Sequence, residues 1–312
     1  MTEAFEYLFP VFLFFLGLAF GSFLNVCIHR LPRGLSVVRP RSACPACSAA
    51  IGARDNIPVL SWILLGGRCR HCRARISPRY AVVELLTALL FLMCYFTFGL
   101  SLATLKYCVF GFLLLGLIFT DAETKLLPDK LTLPGMALGF LFSLFVPVGG
   151  LVGWLLPDLL PAGFDLELAW RLRSLADSLL GAAVGASFIY GAGALYLRAR
   201  GVEGMGFGDV KLMGMIGAFL GVHLTILTLF AASLAGSLFG LATVVAVWVR
   251  RFRRIVARGR EPAAAARRRA WRSAKLVYRH YEMPFGVFLG SMALVAVFLG
   301  HAFLRWYTGR YS

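Results

Sequence analysis

Eight long runs of apolar residues limit what this chain can fold into more than any other feature of its sequence. Most are close to the roughly 20 residues that a helix needs to cross a bilayer, and only 15% of the 312 residues are charged. Backbone polar groups inside a bilayer must find partners within the protein, which favours helices. We therefore predict an all-α polytopic membrane protein with about eight transmembrane helices, and a turn at Gly221 and His223. The runs are 10–29, 81–99, 102–120, 131–156, 176–197, 211–223, 224–249 and 284–304.

The positions of the positive charges predict the orientation of these helices. With the N-terminus outside, 27 of the 32 Lys and Arg residues fall in four segments on the inner side, as the positive-inside rule requires. Topology therefore explains most of the net charge of +17. A soluble protein with this charge would suggest a nucleic-acid partner, but we expect none for this chain. The four inner segments are 30–80, 121–130, 198–211 and 250–282.

The charged segments also divide the chain into three predicted parts. Residues 1–30 form the first transmembrane helix, and residues 31–80 form a small cytoplasmic domain that contains four cysteines. Residues 81–312 form a membrane-embedded domain that carries the basic cytoplasmic loop 250–282. This loop is basic enough to contact anionic lipid headgroups, although a solvated loop on the inner side is the simpler interpretation.

Two CxxC pairs in the cytoplasmic domain predict a metal site. Cys44 and Cys47 form the first pair, and Cys69 and Cys72 form the second after 21 intervening residues. Two such pairs at this separation are typical of a tetrathiolate zinc site, and four thiolates leave no open position for catalysis. We therefore predict a structural Zn²⁺. A redox role and nucleic-acid binding are weaker alternatives, and a cytoplasmic location argues against disulfides.

Two carboxylates at the inner ends of apolar runs are the candidate catalytic groups. Asp121 directly follows the run 102–120, and Asp209 lies in the sequence Gly206-Phe207-Gly208-Asp209. Two carboxylates that come together cannot both ionise cheaply, so one can activate water while its protonated partner polarises a peptide carbonyl. The glycines allow close approach of a substrate chain. Taken singly, each aspartate fits a helix cap better than a catalytic group.

With these residues in view, the chain resembles the type IV prepilin peptidase family, also called leader peptidase/N-methyltransferase, nearly from end to end. The order and joint presence of the motifs carry the resemblance, since no single one is decisive. The motifs are Gly21-Ser22-Phe23-Leu24-Asn25-Val26, Arg30-Leu31-Pro32, Ser42-Ala43-Cys44-Pro45-Ala46-Cys47, Asp55-Asn56-Ile57-Pro58-Val59-Leu60-Ser61-Trp62, Gly67-Arg68-Cys69-Arg70-His71-Cys72, Ile76-Ser77-Pro78-Arg79-Tyr80, Asp121 with Leu127-Pro128-Asp129, Gly206-Phe207-Gly208-Asp209-Val210-Lys211-Leu212, and Met283-Pro284-Phe285-Gly286.

The resemblance implies a role for each of the motif residues. Asp121 and Asp209 would be the dyad of a membrane aspartic peptidase, with Gly206, Gly208 and Lys211 in the supporting loop of the active site. The zinc-binding residues would be Cys44, Cys47, Cys69 and Cys72. The enzyme would remove the basic leader peptide from type IV prepilins or from type II secretion pseudopilins. Because the cysteine domain is present, we also expect methylation of the new N-terminal amine.

The resemblance further implies Zn²⁺ and S-adenosylmethionine as cofactors, and prepilins, pseudopilins and the lipid bilayer as partners. The expected location is the bacterial inner membrane, with the N-terminus periplasmic and with the cysteine domain and active site cytoplasmic. The residues that bind the methyl donor cannot be identified from the sequence. The alternatives are a peptidase without methyltransferase activity and, with less support, a non-enzymatic membrane scaffold or transporter.

Overall fold

The computed structural model describes residues 2–152, 165–201, 206–257, 262–279 and 283–309, and in these ranges the chain is helical, with two isolated β-bridges and no β-strand. This confirms the predicted all-α fold. A π-helical turn, Ala296–Gly300, joins the last two helices. The helices are α1 Thr2–Arg30, α2 Leu60–Leu64, α3 Arg79–Phe98, α4 Leu102–Thr124, α5 Asp129–Ser143, α6 Leu166–Arg200, α7 Phe207–Ala257, α8 Ala263–Arg279, α9 Phe285–Val295 and α10 His301–Thr308.

Six helical segments among the described residues are long and apolar enough to cross a membrane. The expected membrane protein is therefore confirmed. The count of eight stays a prediction, because α7 is counted once although it contains two predicted runs, and α5 has only 15 residues. The six segments are Leu8–Arg33, Arg79–Phe98, Leu102–Thr124, Leu166–Arg200, Phe207–Ala257 and Phe285–Tyr307.

The long helix α7 is two helices that fold back on each other at Gly221. This glycine has φ 72° and ψ −179°, which lies outside helical geometry and favours glycine. A Cβ added to Gly185 of α6 would lie 2.9 Å from the carbonyl oxygen of Met213 and 3.0 Å from Cγ2 of Thr225. In a straight helix those two residues would be about 18 Å apart. The two halves therefore pass the same point of α6 in opposite directions, and the predicted turn at Gly221 is confirmed.

The prediction that the apolar run 131–156 forms one continuous helix was wrong. Helix α5 ends at Ser143. Pro147 disfavours helical geometry at the residue before it, and Gly149 follows with a φ of 72°. At about 1.5 Å per residue, α5 is shorter than the hydrocarbon core of a bilayer. Residues 153–156 of the run lie outside the described residues.

The segment 250–282, predicted as a basic loop, is largely helical where the structure describes it. Helix α7 continues through the arginine-rich stretch to Ala257, and α8 follows, because Arg and Ala are good helix formers. Ala266, Ala270 and Ala274 recur every four residues and are buried, so they form the face of α8 that packs against α7. Residues 258–261 and 280–282 lie outside the described part of the chain.

A core of apolar side chains packs three helices together along their length. It joins α4, the first half of α7 and α9, with Phe110 stacked on Phe219 at 4.4 Å between ring centroids. Neither ring is exposed. This packing places the end of α4, the beginning of α7 and the beginning of α9 side by side. The candidate catalytic residues lie at these three helix ends.

Candidate functional site

Asp121 lies in the last turn of α4 and is 4% exposed. Its Oδ2 atom accepts a hydrogen bond of 3.0 Å from the backbone N–H of Val287. The first residues of α9 supply this donor, since the first N–H groups of a helix have no partner within it. A Cβ on Gly286 would lie 2.8 Å from the same Oδ2 atom, so the glycine lets the start of α9 approach the carboxylate.

The sequence analysis missed this role of Met283-Pro284-Phe285-Gly286. In the sequence, the segment is only one of the motifs that carry the resemblance, at the beginning of the last apolar run. The structure places the N-terminal end of that helix against Asp121, where its N–H groups and helix dipole favour a negative charge. A proline lies close to a glycine at the beginning of this apolar run, and this pattern could have indicated the contact with Asp121.

Asp209 lies in the first turn of α7, is 9% exposed and interacts electrostatically with Asp121. Its backbone N–H donates to the carbonyl oxygen of Gly206 at 3.1 Å. A Cβ on Gly208 would lie 3.0 Å from Cβ of Leu127, in the segment that follows α4. Gly206 and Gly208 are thus located at the start of α7, where the absence of a side chain on Gly208 allows the segment after α4 to come close.

Lys211 lies two residues further along α7 and forms an ion pair with Asp129. Its Nζ atom is 2.7 Å from both carboxylate oxygens of Asp129, the first residue of α5. The ion pair links the beginnings of α5 and α7. The structure therefore brings the predicted supporting residue Lys211 next to the aspartates, in contact with a helix start and not with either candidate catalytic carboxylate.

The two CxxC pairs adopt the same backbone turn. The N–H of Cys44 donates to the carbonyl of Ala49 at 2.9 Å, and the N–H of Cys69 donates to that of Ala74 at 2.9 Å. The residue four positions after each of these cysteines has a positive φ: 58° at Ser48 and 59° at Arg73. Each pair is therefore presented by a tight turn that points two sulfur atoms to the same side.

The four sulfur atoms form one cluster. All the Sγ atoms lie within 4.8 Å of one another, and those of Cys44 and Cys72 are 3.8 Å apart. A tetrahedral zinc site with Zn–S bonds near 2.3 Å has sulfur atoms about 3.8 Å apart. The donor set and its spacing therefore fit a tetrathiolate metal centre.

Backbone donors favour the thiolate form of the first cysteine of each pair. The N–H groups of Cys47 and Ala46 lower the pKa of Cys44 to about 6. The N–H groups of Cys72 and His71 lower the pKa of Cys69 in the same way. Because thiolates are the metal-binding form of cysteine, the turns prepare these residues for a cation.

Other contacts hold the cysteine domain together and attach it to the membrane helices. Arg70 makes a bidentate ion pair with Asp55, at 2.7–3.0 Å, which lowers the pKa of Asp55. Glu84 of α3 accepts a 2.7 Å hydrogen bond from the backbone N–H of Val59 through Oε2. Val59 has a φ of 59°, an unusual conformation for a β-branched residue that the surrounding contacts must hold. The sequence analysis gave Glu84 no such role.

Comparisons with known proteins agree with the site. Residues 15–98 match the family model described as the bacterial Peptidase A24 N-terminal domain, and residues 108–241 match that of the type IV leader peptidase family. The first match contains the cysteine cluster, and the second contains both aspartates. No solved structure matches the chain.

Several curated proteins named prepilin leader peptidase/N-methyltransferase are similar over most of the chain. The Aeromonas salmonicida protein is 33% identical over 95% of this chain and 92% of its own length. The Klebsiella pneumoniae protein is 38% identical over 73% of this chain and 92% of its own length. The Myxococcus xanthus protein is 39% identical over 77% of this chain and 64% of its own length.

Proposed function

Because this chain belongs to the type IV leader peptidase family, we propose that it removes the leader peptide from prepilins with Asp121 and Asp209 as its catalytic pair, and that it methylates the new N-terminus. The observation that carries this proposal is the convergence of two buried carboxylates, 88 residues apart in the sequence, at the adjoining ends of α4 and α7. Prepilins or pseudopilins are the proposed substrates.

The proposed cleavage uses water and needs no covalent intermediate. Two neighbouring carboxylates share a proton and titrate as a pair. The ionised member takes a proton from water, whose oxygen then attacks the scissile carbonyl, while the protonated member donates a hydrogen bond to the carbonyl oxygen. Collapse of the tetrahedral intermediate breaks the C–N bond, and a proton passes to the leaving amine. The N–H of Val287 holds Asp121 in place for this step.

The proposed orientation puts this chemistry on the cytoplasmic side of a bacterial inner membrane. Helix α1 ends where the cysteine domain begins, and α3 and α4 then cross out and back, so Asp121 lies on the same side as residues 31–80. The positive charge of the inner segments supports this assignment. We keep the proposed division into parts 1–30, 31–80 and 81–312, with the N-terminus periplasmic.

We assign Zn²⁺ to the cysteine cluster as a structural ion. Its ligands would be Cys44, Cys47, Cys69 and Cys72, whose four thiolates complete a tetrahedron and exclude water and substrate from the ion. The metal would therefore stabilise the domain and take no part in peptide cleavage. S-adenosylmethionine, when bound, supplies the methyl group for the second reaction.

Prepilin cleavage by purified full-length variants tests the aspartate pair. Asp121→Asn and Asp209→Asn each remove one carboxylate with little change in shape. We expect either substitution to lower the cleavage rate at least about 100-fold, since general acid and base groups contribute that much or more. Asp165→Asn, at the exposed beginning of α6, is the matched control and should cleave normally.

Zinc content and thermal stability of each variant show whether it is folded. Full cleavage by a folded Asp121→Asn or Asp209→Asn protein would remove that aspartate from the mechanism and favour the scaffold or transporter alternative. The mass of the cleaved pilin measures methylation separately. Cleavage without the added methyl group would leave a peptidase alone.

A further inference from the structure

A cavity of about 770 Å³ lies between the cysteine domain and the membrane helices. Residues of α1, of the cysteine domain and of the beginning of α3 line it, and Glu123 at the end of α4 closes one side. Its volume is in the range of small-molecule and cofactor sites, which are about 300–1,000 Å³. The proposed peptide cleavage makes no use of this space.

A buried side chain without a full set of partners lines this cavity. Asn25 of α1 is 3% exposed, and its Nδ2 atom donates to the carbonyl oxygen of Tyr80 at 2.9 Å. Its Oδ1 atom has no hydrogen-bond partner among the described residues. Burying a polar atom without a partner is unfavourable, so a ligand that donates a hydrogen bond here would remove that cost.

Glu84 supplies a second polar anchor in the same cavity. Its side chain is buried and accepts hydrogen bonds from the backbone N–H of Val59 and from the side chain of Ser22. Within the part of the chain that the structure describes, no ion pair joins Glu84 to a cation, whereas Asp55 and Glu123 are paired with arginines. Glu84 is therefore an acidic group facing the cavity with only neutral partners.

The remaining lining combines an aromatic ring with an excess of positive charge. The Nε1 atom of Trp62 donates to the carbonyl of Ile76 at 3.2 Å, and Gly67 packs against the six-membered ring, which fixes the orientation of the indole. An indole face suits a planar base or a ligand cation. The basic lining residues are His29, Arg30, Arg70, His71, Arg75 and Arg79.

This lining does not suit a basic leader peptide, which the excess of positive charge would repel. It suits a small zwitterion that carries a carboxylate, a positive centre and a planar heterocycle. Arg70 and Arg79 are paired with Asp55 and Glu123, so the carboxylate would meet Arg75, and the positive centre would meet Glu84.

The cavity also adjoins the proposed cleavage site. Glu123 lines it, and Asp121 lies two residues earlier in the same helix. Their Cα atoms are therefore about 5 Å apart. An amine released at the aspartate pair is thus produced at the same end of α4 as this space, although Asp121 and Glu123 point to different sides of the helix.

We propose that this cavity binds S-adenosylmethionine, with Glu84 facing the sulfonium, the Oδ1 atom of Asn25 accepting a hydrogen bond from the ligand and Trp62 stacking on the adenine. The inference rests on the proposed methyltransferase function and extends it to a site. In the transfer, the lone pair of the new N-terminal amine forms the bond to the methyl carbon as the C–S bond breaks. The electron pair of that bond stays on sulfur as a neutral thioether, and the amine loses its proton to water.

Comparing two ligands that differ in charge at sulfur tests the role of Glu84. S-adenosylmethionine carries the positive sulfonium, and S-adenosylhomocysteine has a neutral thioether in its place. We would measure both dissociation constants by calorimetry on the full-length, zinc-containing protein. The Glu84→Gln variant should weaken binding of the sulfonium ligand about tenfold more than binding of the thioether, because a contact with a charged group is lost for only one of them.

Two further variants provide the comparison for Glu84→Gln. Asn25→Leu should weaken both ligands about equally, by roughly tenfold. Glu167→Gln removes an exposed carboxylate at the beginning of α6, outside the cavity, and should leave both dissociation constants unchanged. Loss of structure in a variant would affect the two ligands alike, so only a change in their ratio reports the charge of Glu84.

Four results would overturn the inference. The first is an unchanged ratio of the two dissociation constants in Glu84→Gln. The second is a wild type that binds neither nucleoside but binds a synthetic leader peptide, at a site that is lost in Glu84→Gln. If the wild type cleaves prepilin and methylates it while both cavity variants bind both ligands normally, the site is wrong and the proposed function stands. If the wild type cleaves but binds neither nucleoside, the inference and the methylation both fail.

Discussion

The helices around the aspartate pair and the cysteine domain are held together by different means. In the helices that surround the aspartates, large apolar side chains from α4, α7 and α9 form a buried core, and Phe110 and Phe219 within it have no exposure. Among residues 31–80, only four are buried, and two of these are metal-site cysteines. The four are Cys44, Ser61, Gly67 and Cys69. One region therefore depends on packing, and the other would depend on the proposed metal and on a few polar contacts.

Because of this difference, the two regions should lose their structure under different conditions. A segment without an apolar core loses its structure when its metal ligands are released, because metal binding is then coupled to folding. A packed core fails through cavities and is indifferent to chelators. Perturbations chosen for one region should therefore leave the other intact, and the predictions below test that separation.

Removal of the metal should have the largest effect. Binding of a structural zinc ion contributes on the order of 10 kcal/mol to folding, so a chelator, or Cys44→Ser with Cys69→Ser, should unfold residues 31–80. Hydrogen exchange of the full-length protein in detergent would measure this by segment, with zinc re-addition as the control. We expect α4 and α7 to keep their protection. Equal loss of protection in both regions would contradict the comparison.

Phe219→Ala should be the next largest change and should act on the membrane region. The substitution removes a fully buried ring that stacks on Phe110, and such truncations cost about 3–5 kcal/mol. We expect a lower thermal midpoint with an unchanged zinc content. Phe230→Ala is the matched control, because that ring is 69% exposed on the helix surface. A similar loss in both variants would mean that the packing at Phe219 is not special.

Lys211→Met should have a moderate effect on cleavage. The ion pair of Lys211 with Asp129 is partly exposed, and pairs of this kind contribute up to about 1 kcal/mol. The cleavage rate should fall about fivefold. The exchanged pair, Lys211→Asp with Asp129→Lys, should recover part of it. A loss as large as that of Asp209→Asn would show that Lys211 acts in the chemistry itself.

Asp55→Asn should have the smallest effect, and that effect should depend on pH. Arg70 lowers the pKa of Asp55 in the folded protein, so the ion pair stabilises the domain above the ordinary Asp pKa of about 3.9. That stabilisation is lost as the pH falls through the lowered folded pKa. The rate of zinc release from wild type and variant should therefore differ slightly at neutral pH and converge in acid. A difference that grows in acid would contradict this assignment.

Much of the fold could be predicted from the sequence, because the ends of helices follow local signals. The apolar runs beginning at 81 and 102 match α3 and α4, and Gly221 marks a reversal as expected. The errors arose where hydropathy and local helix propensity disagree. Apolar residues after Ser143 are interrupted by Pro147, and arginines beyond residue 250 continue a helix although they are not apolar.

The sequence by itself determined the apolar helices, the clustering of the positive charges in a few segments and the identity of the four thiols, because these depend on local composition and spacing. Only the tertiary structure decided that Asp121 and Asp209 approach each other, that the N-terminal end of α9 reaches Asp121 and that Glu84 faces a cavity. Contacts between residues far apart in the chain depend on how the helices pack and on where reversals such as Gly221 turn the chain back. No local pattern in one sequence encodes those distances.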